Sequence, residues 1–379
     1  MKIAPFIDRL IKAKGSDLFL VPMNRPTIKV NNSTVHLSDS VLEPSLVHTL
    51  VLSIMSHKQK STFLRDRELN FTYRFARQQR FRCSAYFQQG LAAMVLRRIE
   101  TEIPSLESLA MPPILKTLAL KRTGLVIVSG ATGSGKSTTL AAMVNHRNIH
   151  RENMILTIED PIEFAHRNIK SIVVQREVGV DTESYEVGLL NSLRQAPDMI
   201  VIGEIRTAEA MRNAIRISET GHLCVCTVHA TDTVSSLDRI LSFFPSHERQ
   251  NILLSLSMHL RGIVSQRLLP IITEDGLLPA LEILTDSTLI SDQIRLGNFH
   301  KLKDIIRESK DSGMQDFDSV IISMLKKGLI STKTAYSYGS SSNEIRLAMR
   351  LSAIIDVNKP QSVVDENNGE VTLLELADV

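Results

Sequence analysis

The sequence predicts an α/β protein: a mostly parallel sheet flanked by helices, with a smaller α+β domain before it and helices after it. Three observations carry that expectation. From Gly124 onward, short apolar runs alternate with helical stretches, the pattern of strands joined by helical crossovers. The first run, LVIVS, leads through a glycine-rich loop into TTLAAMVNH, which reads as a helix. Ahead of it, Pro104, Pro112 and Pro113 punctuate ETEIPSLESLAMPP, a composition suited to a linker between domains.

Each element follows from its residues. Near the N-terminus, Ile3, Phe6, Ile7, Leu10 and Ile11 recur at helical spacing, which predicts a short amphipathic helix. In QRFRCSAYFQQ, Phe81, Cys83, Ala85 and Phe87 alternate with polar residues that include Arg80 and Arg82. That is a strand with one wet face, and Gln89-Gly90 then marks a turn into LAAMVLRRI, giving a β-hairpin. Residues 1–100 are therefore expected to form an N-terminal domain, 101–113 a linker, and 114–379 the main domain. Expected strands of the main domain are 125–129, 153–159, 171–177, 199–205 and 223–230. From about residue 286 the reading is helical, and residues 363–379 form an acidic tail. There is no internal repeat.

A length of 379 residues accommodates two cores. A net charge of +3 gives no argument for nucleic acid or anionic lipid as a partner. The first twenty residues are interrupted by charges and lack the apolar run of a signal peptide. No stretch approaches the roughly 18 apolar residues of a membrane span. Three cysteines are too few for a disulfide framework and suit a reducing compartment.

The loop reads Gly130, Ala131, Thr132, Gly133, Ser134, Gly135, Lys136, Ser137, Thr138, the GxxxxGK[ST] pattern in its required strand–loop–helix setting. Backbone N–H groups there turn toward a phosphate at the positive end of the following helix. Lys136 is expected to reach the β and γ oxygens, and the Ser137 hydroxyl to ligate magnesium. No guanine-reading NKxD stretch follows, so ATP is the expected nucleotide. The next strand ends in TIEDPIEF, which brings Glu159, Asp160 and Glu163 toward the carboxyl edge of the sheet, where ligands gather in such folds. One of these acids is expected to polarise the attacking water; the plain alternative is a set of solvated loop charges. SLRQAPDMIVIGEIR is a further strand that delivers Glu204 to the same edge. A glycine stands where an aspartate would usually hold magnesium, but a single well-placed carboxylate suffices for that ion.

Four segments occur in one order: GATGSGKST, TIEDPIEF, LRQAPDMIVIGEIR and TGHLCVCTVHATDT. Together they resemble the secretion and type IV pilus ATPase superfamily, in its retraction branch, the PilT/PilU family, and the flanking similarity extends over nearly the whole chain. The resemblance implies a RecA-like P-loop ATPase core, a PAS-like N-terminal domain and C-terminal helices. It implies ATP and Mg2+ as ligands, with Lys136 and Ser137 on phosphate and magnesium and Glu204 on the ion. Glu163 or Glu159 would activate water, while His222 and His229 would sense nucleotide and couple it to domain motion. It also implies a homo-hexameric cytoplasmic motor at the inner face of the membrane, retracting pili through a platform protein beside a second retraction ATPase. The N-terminal domain of one subunit would close over nucleotide on its neighbour. Arg80, Arg82 and Arg97 are the arginines available to do so, against the alternative of a solvated basic face.

Assembly-type relatives carry a zinc-binding cysteine tetrad, which three cysteines cannot supply. The PilT-characteristic AIRAGEIR-like segment is not legible in LISDQIRLGNFHKLKDIIRESKDSGMQDFD, and VLRRIE, FFPSHERQ and SSNEIRLAMRLS read closer to the PilU side. His222, Cys224, Cys226 and His229 are all zinc-ligand types. Strand alternation places the first three on one face at a spacing unlike common zinc sites, so buried cysteines are the simpler reading. Two rival functions remain: a nucleic-acid translocase on a similar core, disfavoured by 4 % aromatics and no Trp, and an ATP-binding accessory ring subunit that acts by docking on another motor. The tail carries five acids without Lys or Arg, which suits a disordered end, yet Val371, Leu373, Leu374 and Leu376 suit a segment that folds on a partner.

Overall fold

The computed structural model describes residues 3–30, 33–75, 79–272 and 276–347; the acidic tail lies outside the described residues. In chain order its first elements are α1 (Ala4–Lys12), β1 (Asp17–Leu20), β2 (Thr27–Val30), β3 (Ser33–His36), α2 (Pro44–Ser53), α3 (His57–Asp66), β4 (Glu68–Phe75), β5 (Gln79–Gln88) and β6 (Leu91–Ile99). Next come α4 (Ile114–Leu120), β7 (Gly124–Ser129), α5 (Lys136–His150), β8 (Met154–Glu159), β9 (Ile172–Glu177), α6 (Tyr185–Ser192), β10 (Met199–Ile202), α7 (Ala208–Glu219) and β11 (Leu223–Val228). The remainder is α8 (Thr233–Ser242), α9 (Ser246–His259), β12 (Leu260–Pro270), β13 (Leu277–Thr285), α10 (Thr288–Leu296), α11 (Leu302–Glu308), α12 (Phe317–Lys326) and α13 (Thr332–Tyr338).

These elements divide into two compact units, Met1–Ser105 with Ala141–Gly203, and Leu106–Leu140 with Glu204–Val379. In the first unit, six strands form a sheet in the order β3-β2-β1-β6-β5-β4. The expected hairpin is there: β5 pairs antiparallel with β6, from Arg80 opposite Ile99 to Gln88 opposite Leu91. Gln89 and Gly90 both have positive φ, 50° and 77°, the backbone twist that a two-residue hairpin turn needs. The buried face of β5, with Phe81, Cys83 and Ala85, packs with Ile7 and Leu10 of α1 and with Phe63 of α3 in one apolar core. The same unit holds β8 between β9 and β10, all parallel.

In the second unit β7 runs parallel to both β11 and β12, and β13 closes the edge antiparallel to β12. The hairpin of β12 and β13 was not among the strands expected from sequence. Its residues Gly262–Gln266 and Ala280–Thr285 are buried on both faces, Ser265, Gln266 and Glu282 included, so polar and apolar positions do not alternate with exposure and the period that would distinguish strand from helix is lost. Among the described residues after Thr285 the chain is mainly helical, as expected, with Phe317, Ile321, Ile330, Ala335 and Ile345 forming a small core together with Leu269 and Ala280.

Two expected strands end early. β10 stops at Ile202, so Gly203 and Glu204 stand just beyond it. The Gly203 N–H still donates to the Ile158 carbonyl at 2.8 Å, and that of Ile205 to the Thr227 carbonyl at 2.9 Å. β11 stops at Val228, which leaves His229 outside the ladder.

Candidate nucleotide site

In the second unit the site begins at β7, all six of whose residues are buried. Its last residue, Ser129, joins a buried hydroxyl chain: Ser236 Oγ donates to Ser129 Oγ at 2.8 Å, and Ser265 Oγ lies 2.8 Å from it. That chain ties β7 to β12 and α8 directly beneath the loop. The loop then crosses to Lys136, the first residue of α5. Gly135 is held at φ +85°, and a Cβ there would fall 2.8 Å from Gln266 Nε2. Only glycine meets both demands. Gln266, on β12, also accepts a hydrogen bond from Thr139 Oγ1 at 2.6 Å, so one buried amide braces the loop and the first turn of the helix. Lys136 Nζ donates to the carbonyls of Gly130 and Ala131, both at 2.9 Å. The ammonium is thereby folded over the loop at the start of α5, the positive end of the helix dipole. Ala131, Thr132 and Gly133 are exposed, Ser134 is buried, and Ser137 and Thr138 are half-buried in the first turn.

Glu204 belongs to the same unit. The backbone bond from Ile205 to β11 sets it beside the end of that strand, where His229 Nε2 lies 2.9 Å from its Oε1. Its other oxygen accepts from Arg206 Nη2 at 2.6 Å. Burial alone would raise this carboxyl, but the Arg206 hydrogen bond, together with His229, Arg206 and Lys136 charge, outweighs it and holds Glu204 below the ordinary carboxylate value. It is an anion at neutral pH, within the electrostatic reach of Lys136. The preceding glycine has a steric cause: a Cβ on Gly203 would lie 3.0 Å from the Tyr185 hydroxyl and 3.1 Å from Glu159 Cα. A side chain at position 203 would be crowded against β8, and the following residue carries the charge.

The two histidines separate. His222 precedes β11 and His229 follows it, so the six strand residues between them set the two about 23 Å apart. His229 meets Glu204; His222 Nδ1 lies 3.1 Å from Thr220 Oγ1, at the other end of the strand. Between them Cys224 and Cys226 are fully buried, and burial pushes the Cys226 thiol up to about 12 and that of Cys224 up as well. Neither is a thiolate, the form that binds zinc, near neutral pH.

The remaining predicted residues lie in the first unit. Glu159 ends β8, where its Oε1 accepts from Thr157 Oγ1 at 2.6 Å and from Gln175 Nε2 at 3.1 Å, and burial pushes its carboxyl up. Glu163 is exposed, and its loop is stitched to the end of β6 by Glu100 N–H to Glu163 carbonyl, 3.2 Å. Arg82 and Arg97 stand directly opposite each other on β5 and β6. Arg97 Nε donates to Asp17 Oδ1 at 2.7 Å, while Arg82 lies in the field of the buried Glu177. Arg80, two residues before Arg82, shares its strand face.

Residues 2–280 match the family model described as type II/IV secretion system protein. The chain is 41 % identical to the type IV pilus ATPase PilU of Pseudomonas aeruginosa over 98 % of its own length and 97 % of that protein's. It is 36 % identical to PilT of the same organism, described as a type IV pilus retractation ATPase, over 88 % of this chain and 97 % of PilT. The chain belongs to the secretion ATPase family, in its PilT/PilU branch. A crystal structure of the pilus retraction motor PilT with bound ADP superposes with a TM-score of 0.86 at 33 % identity, covering 92 % of this chain and 99 % of that one. The RecA-like core expected from the motifs is thus the fold of this PilT/PilU-type ATPase.

Four residues that contact the predicted ones escaped sequence reasoning: Asp17 and Glu177 in the first unit, beside Arg97 and Arg82, and Arg206 and Gln266 in the second, beside Glu204 and the loop. Arg206 was available in principle, two residues from Glu204 at the end of a strand. The other three act through tertiary contacts, and no spacing in the sequence reveals them.

Proposed function

We propose that this ATPase is the ATP-hydrolysing motor of type IV pilus retraction, working as a homo-hexamer on the cytoplasmic face of the inner membrane. The Glu204–His229 contact in the unit that carries Lys136 is the observation that supports the reading, because a carboxylate in the field of Lys136 would there be joined to a residue able to report its state. Among the described residues no helix is long and apolar enough to cross a membrane. The platform protein and a second retraction ATPase are the partners this reading implies, and residues 1–100, 101–113 and 114–379 are the domain, linker and motor it assigns.

Lys136 would leave the Gly130 and Ala131 carbonyls for the β and γ oxygens, and the loop N–H groups from Gly133 to Thr138 would hold the β-phosphate. The donor set suits magnesium: the Ser137 hydroxyl lies in the first turn of α5, and Glu204 is an ionised carboxylate with acceptor capacity beyond its two present partners. When bound, the ion neutralises charge on the transferring phosphoryl. Glu163, exposed on its loop, would orient the attacking water, whereas Glu159 is already engaged by Thr157 and Gln175. Arg97, Arg80 or Arg82 would stabilise phosphoryl charge on a neighbouring copy.

Steady-state ATP hydrolysis by the purified chain tests this reading. Lys136→Ala is expected to abolish turnover and sharply weaken nucleotide binding. Wild-type turnover in that variant contradicts the assignment.

A further inference from the structure

One row of side chains crosses the N-terminal sheet. Thr72 of β4 faces Arg82 of β5, Arg82 faces Arg97 of β6, and Arg97 faces Asp17 of β1. Directly opposed residues share a face, with Cβ atoms about 5 Å apart. Two like charges, Arg82 and Arg97, therefore stand side by side where they repel, and each is matched with its own carboxylate. Thr72 Oγ1 donates to Glu177 at 3.3 Å, and Glu177 also feels the charge of Arg82. On the other side Asp17 takes Arg97.

The two carboxylates are not equivalent in what they leave available. Asp17 is 3 % exposed and its second oxygen accepts from Ser16 Oγ at 2.8 Å, so it is a fixed post. It holds Arg97 by Nε, at 2.7 Å. An arginine gripped at Nε keeps both terminal nitrogens for another oxyanion, in the forked geometry that phosphate accepts. The Arg97 side chain is 67 % exposed although its base is pinned. A free arginine would sample many rotamers and be pushed aside by Arg82; this one is held before any phosphate arrives, and such preorganisation lowers the cost of stabilising a transition state.

We propose that Asp17 is a positioning residue for phosphoryl transfer, holding Arg97 by its Nε so that the terminal guanidinium nitrogens meet the phosphates bound by a neighbouring copy of this chain. The inference rests on the reading above in which Arg97 acts across subunits. The bland alternative is that Asp17 and Arg97 merely stitch β1 to β6.

The test compares kcat, ATP KM and melting temperature for the full chain, Asp17→Ala, Arg97→Ala and the double variant. Asp17→Ala should lower kcat about 10- to 100-fold with KM little changed, and it should have no further effect on kcat once Arg97 is alanine. Asp17→Asn, which keeps an acceptor for Nε, should recover part of the rate, and it replaces Asp17→Ala should the latter fail to fold. A loss of kcat of the same size in the Arg97→Ala background, or one that follows the melting temperature, overturns the positioning role. Wild-type kcat in Arg97→Ala would instead sink the reading of Arg97 itself and the proposal with it.

Discussion

His229 Nε2 and Glu204 Oε1 stand 2.9 Å apart at the edge that carries the P-loop, joining two motifs that lie 25 positions apart in sequence. Whatever changes the charge around Glu204 is felt at once by the residue that follows β11. The contact links Glu204 to the segment leading into α8, whose N-cap Asp232 lies three residues on.

Replacing Glu204 by glutamine keeps the shape and removes the charge. Turnover should fall about 100-fold or more, while nucleotide affinity stays within a few-fold because the loop and Lys136 are intact. There is also a stability consequence. The native carboxyl titrates below its ordinary value of 4.5, so it contributes stability above that pH and loses it as the pH falls through the lowered native value. The stability difference between wild type and Glu204→Gln should therefore shrink below pH 4.5, as read by denaturant titration. A difference that grows on acidification contradicts the ion pairing described for Glu204.

Gly203 is a packing requirement, since a Cβ there meets Glu159 Cα at 3.1 Å. Gly203→Asp should therefore cost about 1–3 kcal/mol of stability, and it should not restore turnover when combined with Glu204→Ala. Restored hydrolysis in the double variant would show that the carboxylate can be supplied from position 203 after all.

His166 offers a test of the fold around the first unit's Asp160–Glu163 loop. Burial lowers its pKa from 6.5 to about 4, and its Nδ1 is buried without a hydrogen-bond partner. Between those values the unfolded chain binds a proton that the native state refuses, so this histidine's effect appears as the pH falls from 6.5 toward 4. The loss amounts to about 3 kcal/mol when complete. His166→Phe should flatten that part of the stability–pH curve. An unchanged curve means that the imidazole is solvated in the native protein.

The legible parts of this protein were those whose cause is local. The loop from Gly130 to Thr138 needs particular residues in succession, and Gln89-Gly90 announces its own turn. The strand carrying Glu204 could be read because its apolar residues stand together between polar ends. β12 and β13 were not legible, because burial of both faces erases the alternation that marks a strand. The six-strand-residue separation of His222 from His229 was available from strand geometry once β11 was recognised. Asp17 and Gln266 were invisible for another reason: nothing in the local sequences SDLFL and SQRLL marks either residue, and only pairing across the sheet brings Asp17 to Arg97 or Gln266 to the loop.

The central claim is that ATP turnover at Lys136 drives pilus retraction. It is tested most directly by measuring twitching in a strain that lacks this chain and is complemented with wild type or with Lys136→Ala at equal protein levels. The wild type should restore movement and Lys136→Ala should not. Full twitching with Lys136→Ala would contradict the claim and leave the chain an accessory that acts by docking alone.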